Sequence, residues 1–203
     1  MLPELYDDDG VRGALQRQGA LRGGDGFDFT PPHVPPRTRA GALYLADSRR
    51  AFHIAPNGLV TAGAVATSAY LCFGMERSGS PRRLNVLAIS EMALEYYRLA
   101  GSAVLPRVPG GWQHRIVAVR FDSGDPRELG PGTNPRTPPQ VRAPAASDDR
   151  WDHTWNAIGE PERDAYEFLV WLYALFGLSA KTNPYVEGNH LATTRLQNGF
   201  KAG

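Results

Sequence analysis

A chain of 203 residues that is 42% hydrophobic suits one domain with a proper core, and its formal net charge of +1 leaves no global excess arguing for nucleic acid, an acidic tail or a membrane surface. Its single cysteine, Cys72, excludes an intrachain disulfide and any zinc site built mainly on thiolates. The opening "MLPELYDDDG" has no basic n-region and no apolar h-region, which predicts a cytoplasmic protein.

The stretch "LPELYDDDGVRGALQRQGAL" predicts a short helix weakened by Gly10 and Gly13. The paired prolines of "GGDGFDFTPPHVPPRTRAG" then predict an irregular segment. "GALYLAD" reads as a strand. From Phe52 to Met75 no residue is charged, and this segment decides between a membrane span and a sheet. A spanning helix needs about 20 predominantly apolar residues, whereas this stretch is interrupted by Thr61, Gly63, Thr67, Ser68 and Gly74. Asn57-Gly58 predicts a type I′ hairpin turn between alternating apolar positions. "AYLCF" predicts a further strand, so the segment reads as sheet with no membrane contact.

"NVLAISEMALEYYRLA" carries the best helical pattern. Asn85 is the expected N-cap, Leu84 and Ile89 a hydrophobic staple, and Gly101 the left-handed stop. Leu87, Ala88, Met92, Tyr96 and Leu99 are expected to face the sheet, leaving Glu91, Glu95 and Arg98 as a solvated strip. "WQHRIVAVRFD" predicts a strand. Asp122–Arg150 contains six prolines and almost no large apolar residues, and predicts a linker or long loop. "PERDAYEFLVWLYALFG" predicts the last long helix, with Pro161 in its first turn and Gly177 at its stop.

The element order predicts an α+β fold: an antiparallel sheet of about five strands, two main helices on one face, and a Pro-rich linker. The expected division is 1–40, an N-terminal helix and irregular segment; 41–122, the α+β core; 123–150, the linker; and 151–203, the C-terminal helix and tail packed on the core.

No P-loop, dinucleotide-binding, H-E-x-x-H or G-x-S-x-G pattern is present. Three clusters remain. Asp148, Asp152 and His153 in "SDDRWDHTW" are metal-ligand types, suited to a divalent metal in a hydrolase or nuclease; the plainer reading is a solvated linker end. Arg77, Arg82 and Arg83 precede a helix start, where anions or nucleic acid bind, or else form an exposed basic loop. Trp171, Tyr173 and Phe176 exceed the last helix's apolar stripe and suit contact with a protein partner or a second copy; helix packing is the plainer alternative. No catalytic residue is identifiable.

The sequence of "FHIAPNGLVTAG", "LNVLAISEMALEYYRLAG", "IVAVRF" and a late amphipathic helix resembles the C-terminal region of actinobacterial proteins that begin with an AlbA/Schlafen-type DNA-binding or ATP-binding domain. The resemblance covers residues 41–178 and rests on element order. It implies an accessory domain of a bacterial system without the active half. The leading expectation is thus a non-enzymatic protein-interaction or accessory module needing no cofactor, with the metal-dependent hydrolase and the nucleic-acid-binding domain as alternatives.

Overall fold

The computed structural model describes residues 9–17, 20–29, 34–74, 83–107, 113–119, 128–130, 140–142, 150–156 and 159–199. Helix α1 (Asp9–Arg17) precedes an antiparallel meander of β1 (Arg37–Arg39), β2 (Ala42–Ala46), β3 (Arg50–Ile54) and β4 (Val60–Ala64), in that spatial order. A short strand β5 (Arg83–Asn85) runs directly into α2 (Val86–Leu99). Then come β6 (Gln113–Val119), β7 (Glu128–Gly130), β8 (Gln140–Arg142) and β9 (Arg150–Asn156). Helix α3 (Pro161–Leu175), the small hairpin β10 (Val186–Glu187) and β11 (His190–Leu191), and α4 (Thr193–Asn198) complete the chain. The fold is α+β. No helix among the described residues is long and apolar enough to cross a membrane.

Several strand expectations shift. The strand of "WQHRIVAVRFD" does not extend the meander; β6 pairs antiparallel with β9 as a separate ribbon. Within the stretch expected to be a linker, β7 pairs parallel with β5 and antiparallel with β8. "AYLCF" forms turns instead of a strand, because the chain must double back over the core: the Leu71 N–H donates to the Val65 carbonyl and the Asn85 N–H to the Leu71 carbonyl.

The hairpin turns follow from two local choices. At Asn57-Gly58 the preceding Pro56 has its φ locked near −65°, which suits the second position of a type I turn. The Gly58 N–H donates to the Ala55 carbonyl and the Ala55 N–H to the Leu59 carbonyl, and only Gly58 takes a positive φ, 82°. This is the three-residue loop with a glycine bulge. The two-residue turn with positive φ at both positions lies instead at Ala40 (50°) and Gly41 (75°), between the paired residues Arg39 and Ala42. Ala40 is strained there, since a Cβ disfavours the left-handed region. Ala40→Asn is expected to stabilise the fold by roughly 0.5–1 kcal/mol, read as a rise in the urea midpoint at unchanged slope.

Asn85 caps α2 as its position predicts. Its Oδ1 accepts from the Leu87 and Ala88 N–H groups, and its Nδ2 donates to the Phe73 carbonyl. Gly101 does not stop the helix. The chain continues through a π-helical turn, Ala100–Val104, whose Ala103 and Val104 are buried against the meander and α1.

Burial is the main surprise of α2. Every residue from Val86 to Glu95 is buried, so the helix has no solvated strip. Over this run it is enclosed on all sides. Leu87, Leu94 and Tyr97 pack with Leu169 and Tyr173 of α3 and with Phe176 just after it. Tyr96 donates its hydroxyl to the Val60 carbonyl at 3.0 Å and lies 6.1 Å from the Phe52 ring. Ala88 and Met92 meet Phe27 and Tyr70. Glu91, completely buried, is held by Arg22 (Nε to Oε1, 2.5 Å; Nη2 to Oε2, 3.1 Å) and by the Phe27 N–H at 3.0 Å. Desolvation pushes its carboxyl up, against the opposing pull of Arg22 and the Phe27 N–H. Arg98 does not pair along its own helix. It donates to Glu162 and Thr193, each at 2.8 Å, tying α2 to α3 and α4.

Candidate functional site

The register of the meander sorts its side chains onto two faces, because directly opposed residues share a face and neighbours alternate. Leu43, Leu45, Phe52, Ile54 and Val60 point into the core with α1 and the π-helical turn. The other face carries no helix among the described residues, and much of it is exposed. On it the pairings Arg37↔Tyr44, Tyr44↔His53 and His53↔Thr61 join end to end. They make one straight row across all four strands: Arg37, Tyr44, His53, Thr61. Thr61 Oγ1 lies 3.4 Å from His53 Nδ1, which orients the imidazole along the row.

The flanks of the row are small. Ala42, Ala46, Ala51 and Gly63 occupy the same face, so Tyr44 and His53 stand above a low surface. Arg39 lies on the same face of β1 as Arg37. Arg49, beside Ala51's strand, carries the parity of this face too, since its carbonyl accepts from the Val65 N–H in the same ladder. Arg37, Arg39 and Arg49 are exposed, and among the described residues none has a side-chain partner. Among the described residues, no carboxylate sits on the face. From Val34 to Gly74 the chain has four arginines and one acid, Asp47.

Asp47 is already committed. Its carboxylate accepts from the Arg49 and Arg50 N–H groups at 2.7 and 3.0 Å and from Arg50 Nε at 3.3 Å. Arg50, the fourth arginine, points the other way and clamps the core: it donates to Asp28 Oδ1, to the Asp28 carbonyl and to the Tyr70 hydroxyl. Among the described residues, the three face arginines are therefore uncompensated positive charge beside an aromatic ring and an imidazole.

A groove of about 560 Å³ lies elsewhere, between the π-helical turn and the start of α3, lined in part by Glu95, Arg98, Ser102, Gly159 and Pro161. Its arginine is taken by Glu162 and Thr193. Burial opposes ionisation of Glu162, yet the hydrogen bond and charge of Arg98 hold its carboxyl below the ordinary value. This groove is a structural ion-pair site.

The residues singled out by sequence are not brought together. Asp148 lies outside the described residues. Asp152 and His153 are consecutive positions of β9, opposite Val117 and Ile116, and consecutive strand positions belong to opposite faces. They are part of a paired strand. Among the described residues, no group of three or more His, Cys, Asp or Glu is placed to hold a metal ion. Arg77 and Arg82 lie outside the described residues; Arg83 is buried in β5 and engaged, so it offers no free cation. Tyr173 and Phe176, at 1% and 2% exposure, belong to the core between α2 and α3, and Trp171 packs partly buried against it. Tyr173 and Phe176 do not project as a docking face, because they are buried in the core that α2 and α3 share. The row on the open face was missed because its anchor, "RTR", follows four prolines and reads as loop. The alternation of Tyr44 and His53 with core residues was its available signal.

No protein-family model, no curated protein and no solved structure matches this chain.

Proposed function

We propose that this chain is a non-enzymatic cytoplasmic accessory module that holds single-stranded nucleic acid on the open face of the β1–β4 sheet. The observation that carries the reading is the row Arg37–Tyr44–His53–Thr61, flanked by Arg39 and Arg49, on a face where no described residue is a carboxylate. Single strands are held by cationic grooves that track phosphates and by planar side chains on which bases stack. The open sheet supplies both, in a surface flat enough for unpaired bases and too shallow to enter a duplex groove. Arginine suits the role, since its planar fork meets phosphate in two hydrogen bonds and stacks on rings. The nucleic-acid reading of the sequence thus keeps its chemistry and changes its residues.

Fluorescence anisotropy with a labelled oligothymidine and an oligouridine, at low salt, tests this. Wild type is expected to bind both, and a duplex of equal length more weakly. Tyr44→Ala is expected to weaken binding roughly tenfold, the loss of one stacked base. Arg37→Ala with Arg39→Ala is expected to do the same or more. All three positions lie off the core, so unchanged melting separates lost binding from lost folding. Binding that ignores all three substitutions would refute the assignment.

A further inference from the structure

The two edges of the meander differ. Strand β1 is blunted by Arg37 and Arg39, charges of the kind that keep an edge from pairing. Strand β4 has no such protection: no residue from Ala51 to Gly74 is charged. The bonds that bracket its hairpin join Ala55 to Leu59 and Val65 to Arg49. By alternation, the N–H and C=O groups of Val60, Ala62 and Ala64 face away from β3. The Val60 carbonyl takes the Tyr96 hydroxyl; those of Ala62 and Ala64 have no partner among the described residues.

Four large apolar side chains are exposed among the described residues, and two of them, Leu59 at 56% and Val65 at 37%, bracket β4. They lie three positions either side of Ala62. We infer that β4 is the pairing edge for a second copy of this chain, antiparallel and with its two-fold axis at Ala62. That register sets Ala62 against its own copy and Val60 against the copy's Ala64 as hydrogen-bonded pairs. It also sets each Leu59 against the other copy's Val65, at the positions where cross-strand side chains approach most closely. A two-fold contact brings every residue near the axis against its like, so a charge on β4 would meet itself; the strand carries none. Residues opposed in a ladder share a face, so the pairing also places both arginine-bearing open faces on the same side of one continuous sheet.

The test is sedimentation equilibrium of the full chain without nucleic acid, which keeps it independent of the proposed function. Wild type is expected to form a dimer. Ala62→Glu alone and Ala62→Lys alone are each expected to raise the dimer dissociation constant about tenfold or more, through like charges at the axis. Mixed in equal amounts, the two variants are expected to form the dimer again. Ala62 is exposed, so both variants should melt as wild type does. A wild type that stays monomeric at high concentration overturns the inference, as do variants that dimerise like wild type.

Discussion

Glu91→Leu is expected to destabilise the protein by about 3–5 kcal/mol, the cost of leaving a partly buried charge without its partner. The carboxylate is fully enclosed by α2's neighbours, and it holds the Arg22 guanidinium and the Phe27 N–H. Removal takes this carboxylate from both. Arg22 keeps some contact with water, its side chain being 18% exposed, which argues for the lower end of the range. The double variant Arg22→Met, Glu91→Leu is expected to recover most of the loss, because two apolar side chains of similar volume can replace a buried ion pair at little net cost. Urea denaturation of both single variants and the double gives the coupling directly. A Glu91→Leu cost below about 1 kcal/mol would mean that the pair does not hold the segment Arg22–Phe27 to the helix.

Arg50→Met is expected to cost about 3 kcal/mol. The side chain joins three parts of the chain: the segment ending at Asp28, strand β3 and the turn carrying Tyr70. Asp28 and Tyr70 are nearly buried, and their own contact, the Tyr70 hydroxyl donating to the Asp28 carbonyl, cannot neutralise the Asp28 carboxylate. Methionine keeps the packing of the arginine stem but removes the guanidinium over the Tyr70 ring, so the loss reports on charge, hydrogen bonds and that cation–π contact. A pH signature accompanies it. Burial opposes ionisation of Asp47, but the Arg49 and Arg50 N–H groups and the Arg50 charge outweigh it and hold the carboxyl below its ordinary value. A carboxyl lowered on folding stabilises the fold above its unfolded pKa, and that contribution disappears as pH falls through the folded value. Wild-type stability should therefore drop on acidification below about pH 4. Arg50→Met should flatten part of that drop, leaving the share due to the two backbone N–H groups.

The sequence carried the local signals well and the enclosure of elements poorly. Asn85 as a cap, Pro161 at the start of α3, and the alternating β2 and β3 are decided by neighbours in the chain, so spacing reveals them. Glu91 and Glu95 look like a solvated strip one turn apart, and only the packing of α3 and the segment Arg22–Phe27 shows that α2 is buried on every side from Val86 to Glu95. Tyr173 and Phe176 mislead for the same reason: an apolar excess on one helix is indistinguishable from a docking face until its partner is in place. The candidate site escaped notice through averaging. A net charge of +1 describes the whole chain, while Arg37, Arg39 and Arg49 share one face with no acid among the described residues. The row itself links residues 37, 44, 53 and 61 through strand register, which depends on turn geometry at Ala40-Gly41 and Pro56-Asn57-Gly58.

The salt dependence of oligonucleotide binding tests the proposed face most directly. Each phosphate neutralised on a single strand adds about −0.7 to the slope of log K against log salt concentration. With Arg37, Arg39 and Arg49 as the contacts, wild type should show a slope near −2, and the variant with all three changed to alanine a slope near zero. Equal slopes for the two proteins would contradict the account, whatever their affinities.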